Sequence, residues 1–189
     1  MPTLGKITGY PLTQADDLFD ATENLDGFVR VSSCLKACAV NLSKMCNDLR
    51  ILASGPKAGF GEITLPAMQN GSSIMPGKVN PVIPEVVSQV AFHIIGHDTT
   101  ITMAAEAGQM ELNAFEPVVF YNLFDSITTL THAVDTLTAN CILGITANEK
   151  RCHELLDASV GITTALCPYI GYKKAARLAK ESLKTDIPV

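Results

Sequence analysis

The segment Gly71-Ser72-Ser73-Ile74-Met75-Pro76-Gly77-Lys78-Val79-Asn80 gathers the residues best suited to do chemistry in this chain. Two adjacent hydroxyls, two glycines, a proline, a lysine and an asparagine share one short stretch. Neither helix nor sheet packing asks for that combination. A loop closing over a small anion does. Lys78 supplies a positive charge, and Asn80 a neutral donor and acceptor. A helix expected to start near Pro81–Pro84 would aim its unsatisfied amides and positive dipole end toward such an anion. Gly71 and Gly77 permit backbone conformations that other residues resist, as a lid requires. The fitting ligand is a carboxylate. The segment is not a phosphate-binding P-loop, because one residue too many separates the glycines, Val79 stands where that motif needs a hydroxyl, and no strand is expected before it. Taken alone, the stretch also fits a plain connecting loop.

The elements that must position it are helical. Residues 1–12 read as loop, with Thr13 as a helix cap followed by Asp16 and Asp17 in the first turn. A helical pattern then runs to about Ser54, with a break near Gly27. Its apolar positions Phe28, Val31, Leu35, Cys38, Leu42, Met45, Leu49 and Leu52 step by three or four. Five of the ten prolines and five of the thirteen glycines fall between Gly55 and Pro84, which makes that stretch one long loop. Further helices are expected from about Pro81 to Gly108 and from Ala114 to Ile142. Shorter ones follow over Asn148–Ser159 and Tyr172–Leu183, with breaks at Gly161 and at Pro168–Gly171. The fold class is all-α: a long-helix bundle over residues 1–145, with the loop 55–84, and a small helical portion over 146–189.

Composition bounds the partners. The 189 residues carry a net charge of -5 and 47% hydrophobic residues, and mean hydropathy is +0.23. That balance argues against nucleic acid and anionic membranes. Glu85, His93, Asp98, Glu106, Glu111 and Glu116 interrupt every apolar stretch short of a membrane span. Six cysteines without a C-x-x-C pair are expected to be reduced and packed, and the protein to be cytoplasmic. No lysine or arginine lies between Lys78 and Lys150. Helices so poor in charge cannot show an ordinary polar face to water, so other copies of the chain are expected to cover them.

Gly71–Asn80 is similar, at every fixed position, to the GSSxMPxKxN motif of the aspartase/fumarase superfamily. The likeness continues through Asn80-Pro81-Val82-Ile83-Pro84-Glu85-Val86-Val87, Asp98-Thr99-Thr100, Met103–Gln109 and Gly144-Ile145-Thr146-Ala147-Asn148, which resemble the aspartase branch rather than class II fumarases. The resemblance covers about Thr13 to Gly171. It implies elimination of ammonia from L-aspartate to give fumarate, in a homotetramer whose site draws on three subunits; no cofactor or metal is expected. Ser72 matches the base that removes the proton beside the β-carboxylate, through an enediolate intermediate. Ser73 matches a residue that holds that carboxylate, and Lys78 and Asn80 match substrate-contacting positions. Backbone amides near Ile74 and Met75, with Lys78, are the available stabilisers of a deprotonated serine. Glu85 matches an acidic residue that orients a histidine of the site.

Chains of that family are much longer and begin with a domain, bearing further site motifs, that this sequence lacks. The 189-residue chain alone is therefore expected to be inactive. Two other readings stay open: a class II fumarase, and a helical oligomerisation module without catalysis. His93 and His97 lie four apart on a helix with Asp98 adjacent, but spacing places no third metal ligand, and a solvated or packed pair is the reading taken. Cys34 and Cys38 share a helix face and are expected to pack in the bundle. The hydroxyls of Ser126 to Thr138 are expected to bond within their helix. The basic run Lys173 to Lys184 reads as an exposed terminal helix.

Overall fold

The computed structural model describes residues 2–71, 74–185 and 187–189. Its helices in chain order are α1 (Pro2–Thr8), α2 (Leu18–Glu23), α3 (Asp26–Leu52), α4 (Val82–Glu106), α5 (Glu116–Asn140), α6 (Glu149–Asp157), α7 (Thr163–Ile170) and α8 (Tyr172–Thr185). Strands β1 (Ile63–Thr64) and β2 (Thr146–Ala147) pair antiparallel, Ile63 opposite Ala147 and Thr64 opposite Thr146. The all-α class stands.

The start of the chain differs from the loop expected there. Pro2 opens α1, at the position where its fixed φ and missing N–H cost least. The next helix begins later than Thr13, because Asp17 is its cap. The Asp17 carboxylate accepts from the amides of Phe19 and Asp20 at 2.9 and 3.1 Å. The interruption expected near Gly27 falls earlier, between α2 and α3, and α3 runs through that glycine. At the other end, α7 continues through Pro168 and stops at Gly171.

The chain forms two compact units, Met1–Asn47 with Val82–Thr138 and Asp48–Pro81 with Ala139–Val189. In the first, α3, α4 and α5 share their core. Leu25, Ile101, Ala104, Val119 and Leu123 cluster, with Phe28, Val29 and Leu35 against them. Ala39, Ala91, Ile94 and Leu130 form a second cluster, with Leu35, Leu42 and Val90 packed on it. Phe28 meets Phe120 edge-on at 5.0 Å between centroids. Ile94, Ile101, Val87 and Val119 are buried almost completely, each worth roughly 1.5–3 kcal/mol.

The inward stripe of α3 keeps only part of its apolar series: Phe28, Leu35 and Leu42 pack on the core, and Val31, Cys38 and Met45 do not. Ser32, Ala39, Ser43 and Cys46 face inward, while Val31, Val40 and Met45 are exposed. Cys34 and Cys38 fall off that stripe and are exposed rather than packed; Cys46 and Cys141 are the buried thiols. Of the α5 hydroxyls, Thr129, Thr131 and Thr138 donate to carbonyls one turn back as expected, whereas Ser126 Oγ meets His97 Nδ1 of α4 at 3.0 Å. No described helix is long and apolar enough to cross a membrane.

A charge explains part of the stripe's shift. Asp98, 3% exposed, accepts from Ser32 Oγ at 2.8 Å and Ser33 Oγ at 3.3 Å and pairs with Lys36. Burial alone would raise its pKa. The bonds from Lys36 and Ser32, the Lys36 charge and the Ser33 bond outweigh that and hold the carboxyl below its ordinary value. Asn113, also buried, closes the turn between α4 and α5. Its Nδ2 donates to the Ala104 carbonyl at 2.9 Å, and its Oδ1 accepts from the Phe115 amide at 2.8 Å. It thereby satisfies backbone groups that helix ends leave open.

The second unit holds the long loop against α6. The Asn148 amide donates to the Glu62 carbonyl and its Nδ2 to the Gly61 carbonyl, both at 2.8 Å. Arg151 reaches the carbonyls of Phe60 and Gly59 at 2.9 and 3.3 Å. Asn148 occupies the N-cap position of α6 but makes no side-chain cap, since that side chain is spent on the loop. In α8 the basic residues are exposed and Ala175 is buried, as an exposed terminal helix requires.

Candidate active site

Asn70 and Gly71 meet Lys78 and Val79 at a backbone neck. The Gly71 amide donates to the Lys78 carbonyl at 2.9 Å, and Asn70 and Val79 pair as an antiparallel bridge. Inside this neck the Lys78 amide donates back to the Met75 carbonyl at 3.2 Å, with Gly77 at φ 80. Proline followed by a positive-φ glycine is what a type II turn demands, so Met75-Pro76-Gly77-Lys78 has a local reason for its sequence. Gly71 is needed for closeness instead. A Cβ there would lie 2.0 Å from the Lys78 carbonyl oxygen, and the neck could not close.

Ser72 and Ser73, the expected base and its neighbour, lie outside the described residues. Ile74, Met75 and Lys78 are exposed on the loop, and Asn80 is half-buried just past its neck. The neck and turn thus join Gly71, Met75 and Lys78 through backbone bonds. Glu85 belongs to the other unit, half-buried in the first turn of α4, where a carboxylate complements the helix dipole. The stem of the loop is fixed by Asn148 and Arg151. Asn148 ends a motif singled out by resemblance, and its bonds give it a structural role.

A second set of chemistry-bearing side chains lies in the first unit. His93 and His97 stand one turn apart on α4, ring centroids 4.0 Å apart. Asp125 of α5 meets both: its Oδ2 is 3.0 Å from His93 Nε2 and 3.7 Å from His97 Nδ1. Burial lowers the His97 pKa, and the neighbouring His93 adds to this; Asp125 and the main chain at Asn122 oppose it without cancelling it. Asp98, the carboxylate adjacent in sequence, is engaged by Ser32 and Lys36 instead. The third group that spacing did not place comes from 32 positions beyond His93. Only the pairing of α4 with α5 reveals it.

The family model described as "Lyase" matches residues 1–96, and one described as "Fumarase C C-terminus" matches residues 162–189. An aspartate ammonia-lyase of Helicobacter pylori is 58% identical over 181 residues, covering 96% of this chain and 39% of its own. That of Bacillus subtilis is 53% identical, covering 96% and 38%. Among solved structures, a fumarate lyase:delta crystallin from Brucella melitensis superposes with a TM-score of 0.91 at 49% identity, over 98% of this chain and 43% of that one. A class II fumarase from Schistosoma mansoni follows at 0.87 and 33% identity, over 98% and 41%. The chain spans about two-fifths of the length of these relatives.

Proposed function

The chain belongs to the aspartase/fumarase lyase superfamily, and from that premise we propose that the protein it comes from is an aspartate ammonia-lyase with Ser72 as its base. Ser72, as its alkoxide, takes a proton from the carbon beside the β-carboxylate of L-aspartate. The electron pair moves into that carboxylate, giving an enediolate with two negative charges. It then returns to form the carbon–carbon double bond as the C–N bond breaks. Ammonia leaves and fumarate remains.

A serine hydroxyl is far too weak an acid to ionise unaided near neutral pH. The amides near Ile74 and Met75 and the charge of Lys78 lower that cost, one well-aimed donor being worth roughly 3–4 kcal/mol. Ser73, Lys78 and Asn80 hold the substrate, and Glu85 orients a histidine of the site. The observation that carries this reading is the closed neck at Gly71 and Lys78, in a chain 58% identical to an aspartate ammonia-lyase. The exposed Val86, Phe92 and Met103 of α4 and Tyr121, Phe124 and Ile127 of α5 support assembly with other copies, as a tetramer. No lysine or arginine interrupts those two helices.

The test is fumarate absorbance in the intact protein supplied with L-aspartate. Ser72→Ala is expected to cut turnover by about 10²–10⁴-fold with assembly unchanged. A variant with the parent rate would remove Ser72 from the role. Conversion of malate without conversion of aspartate would make the protein a fumarase.

A further inference from the structure

His93, His97 and Asp125 bring one ligand atom each to within 4.8 Å of one another, from two helices. We propose that this trio binds one divalent transition-metal ion of the zinc type, bridging α4 and α5. The inference goes beyond the lyase reading and does not depend on it.

Geometry is the first argument. Around a tetrahedral ion with bonds of about 2.0–2.2 Å, neighbouring ligand atoms stand about 3.3–3.6 Å apart. The observed 3.0 and 3.7 Å from Asp125 Oδ2 to the two imidazoles bracket that value. The two imidazole nitrogens lie within 4.8 Å of each other, so closing on one ion takes a turn of the rings about their side-chain bonds. The helices themselves need not move, since Ile94 of α4 and Leu130 of α5 lie in one buried cluster close by.

Ligand chemistry is the second. Two imidazoles and one carboxylate suit zinc, cobalt or nickel; magnesium and calcium take oxygen ligands. His93 is half-exposed in the single chain, at 53% of its side chain, which leaves a fourth position for a water or for a donor from a neighbouring copy. Ser126 Oγ, 3.0 Å from His97 Nδ1, lies beside the site as a further oxygen.

Calorimetric titration of the metal-stripped intact protein with Zn²⁺ tests the site. One equivalent is expected whose affinity falls by about tenfold to a hundredfold in His93→Gln and in Asp125→Asn. Zn²⁺ should also raise the melting temperature of the parent protein and not that of His93→Gln. Should Asp125→Asn fail to fold, the half-exposed His93 decides the matter. The paired substitution Cys34→Ser with Cys38→Ser should leave binding intact, as should Ser72→Ala. Parent-level Zn²⁺ affinity in His93→Gln, or loss of the equivalent with the two cysteines, would overturn the proposal. Neither result touches the assay for fumarate, so failure of one reading is visible apart from failure of the other.

Discussion

At the scale of single residues, a motif of adjacent positions could be singled out from the sequence, and groups brought together across helices could not. Gly71 to Asn80 could be read because its parts are contiguous. Asp98 and Asp125 could not, because their partners sit on other helices and leave no periodic trace. Asp98 also shows why a buried stripe can hold serines in place of leucines: Ser32, Ser33 and Lys36 satisfy its carboxylate. A carboxyl held below its ordinary pKa in the folded state adds stability above the ordinary carboxylate range. That contribution is lost as pH falls through the folded value. Asp98→Asn is therefore expected to cost about 2 kcal/mol at neutral pH, with the gap to the parent narrowing in acid. Urea unfolding at pH 7 and at about pH 3 measures it, and a gap of constant size would contradict the assignment.

At the scale of elements, proline and glycine carried most of the information. Their concentration located the long loop, and the three- and four-residue apolar spacing located the long helices. Three things escaped. The helix at Pro2–Thr8 is too short for a period to show, and the strands at Ile63 and Thr146 have only two residues each. The inward face of α3 was misread because a buried charge, not hydrophobicity, sets part of it. Within the loop the decisive contact is the neck, where backbone meets backbone. Gly71→Ala would force Lys78 away from it. Because misplacement of about 1 Å can cost a hundredfold in rate, turnover of aspartate should fall by about that factor. Circular dichroism should show the helices unchanged; turnover at the parent level would mean that the neck does not hold the site.

At the scale of the whole molecule, the surface of α4 and α5 is unlike that of a free-standing helix pair. Phe92, Tyr121 and Phe124 are exposed, and no lysine or arginine relieves them. Phe92→Glu with Phe124→Glu is expected to shift light-scattering mass toward smaller species. An unchanged mass would mean that this surface is not where copies meet. The same scarcity of basic residues has a practical side. Lys78, exposed at the neck of the loop, is the only lysine or arginine between Lys57 and Lys150. Trypsin therefore has a single place to cut over that whole length, inside the segment proposed to cover the substrate. The chain carries its own footprinting reporter: the rate of that one cleavage reads how often the loop stands open.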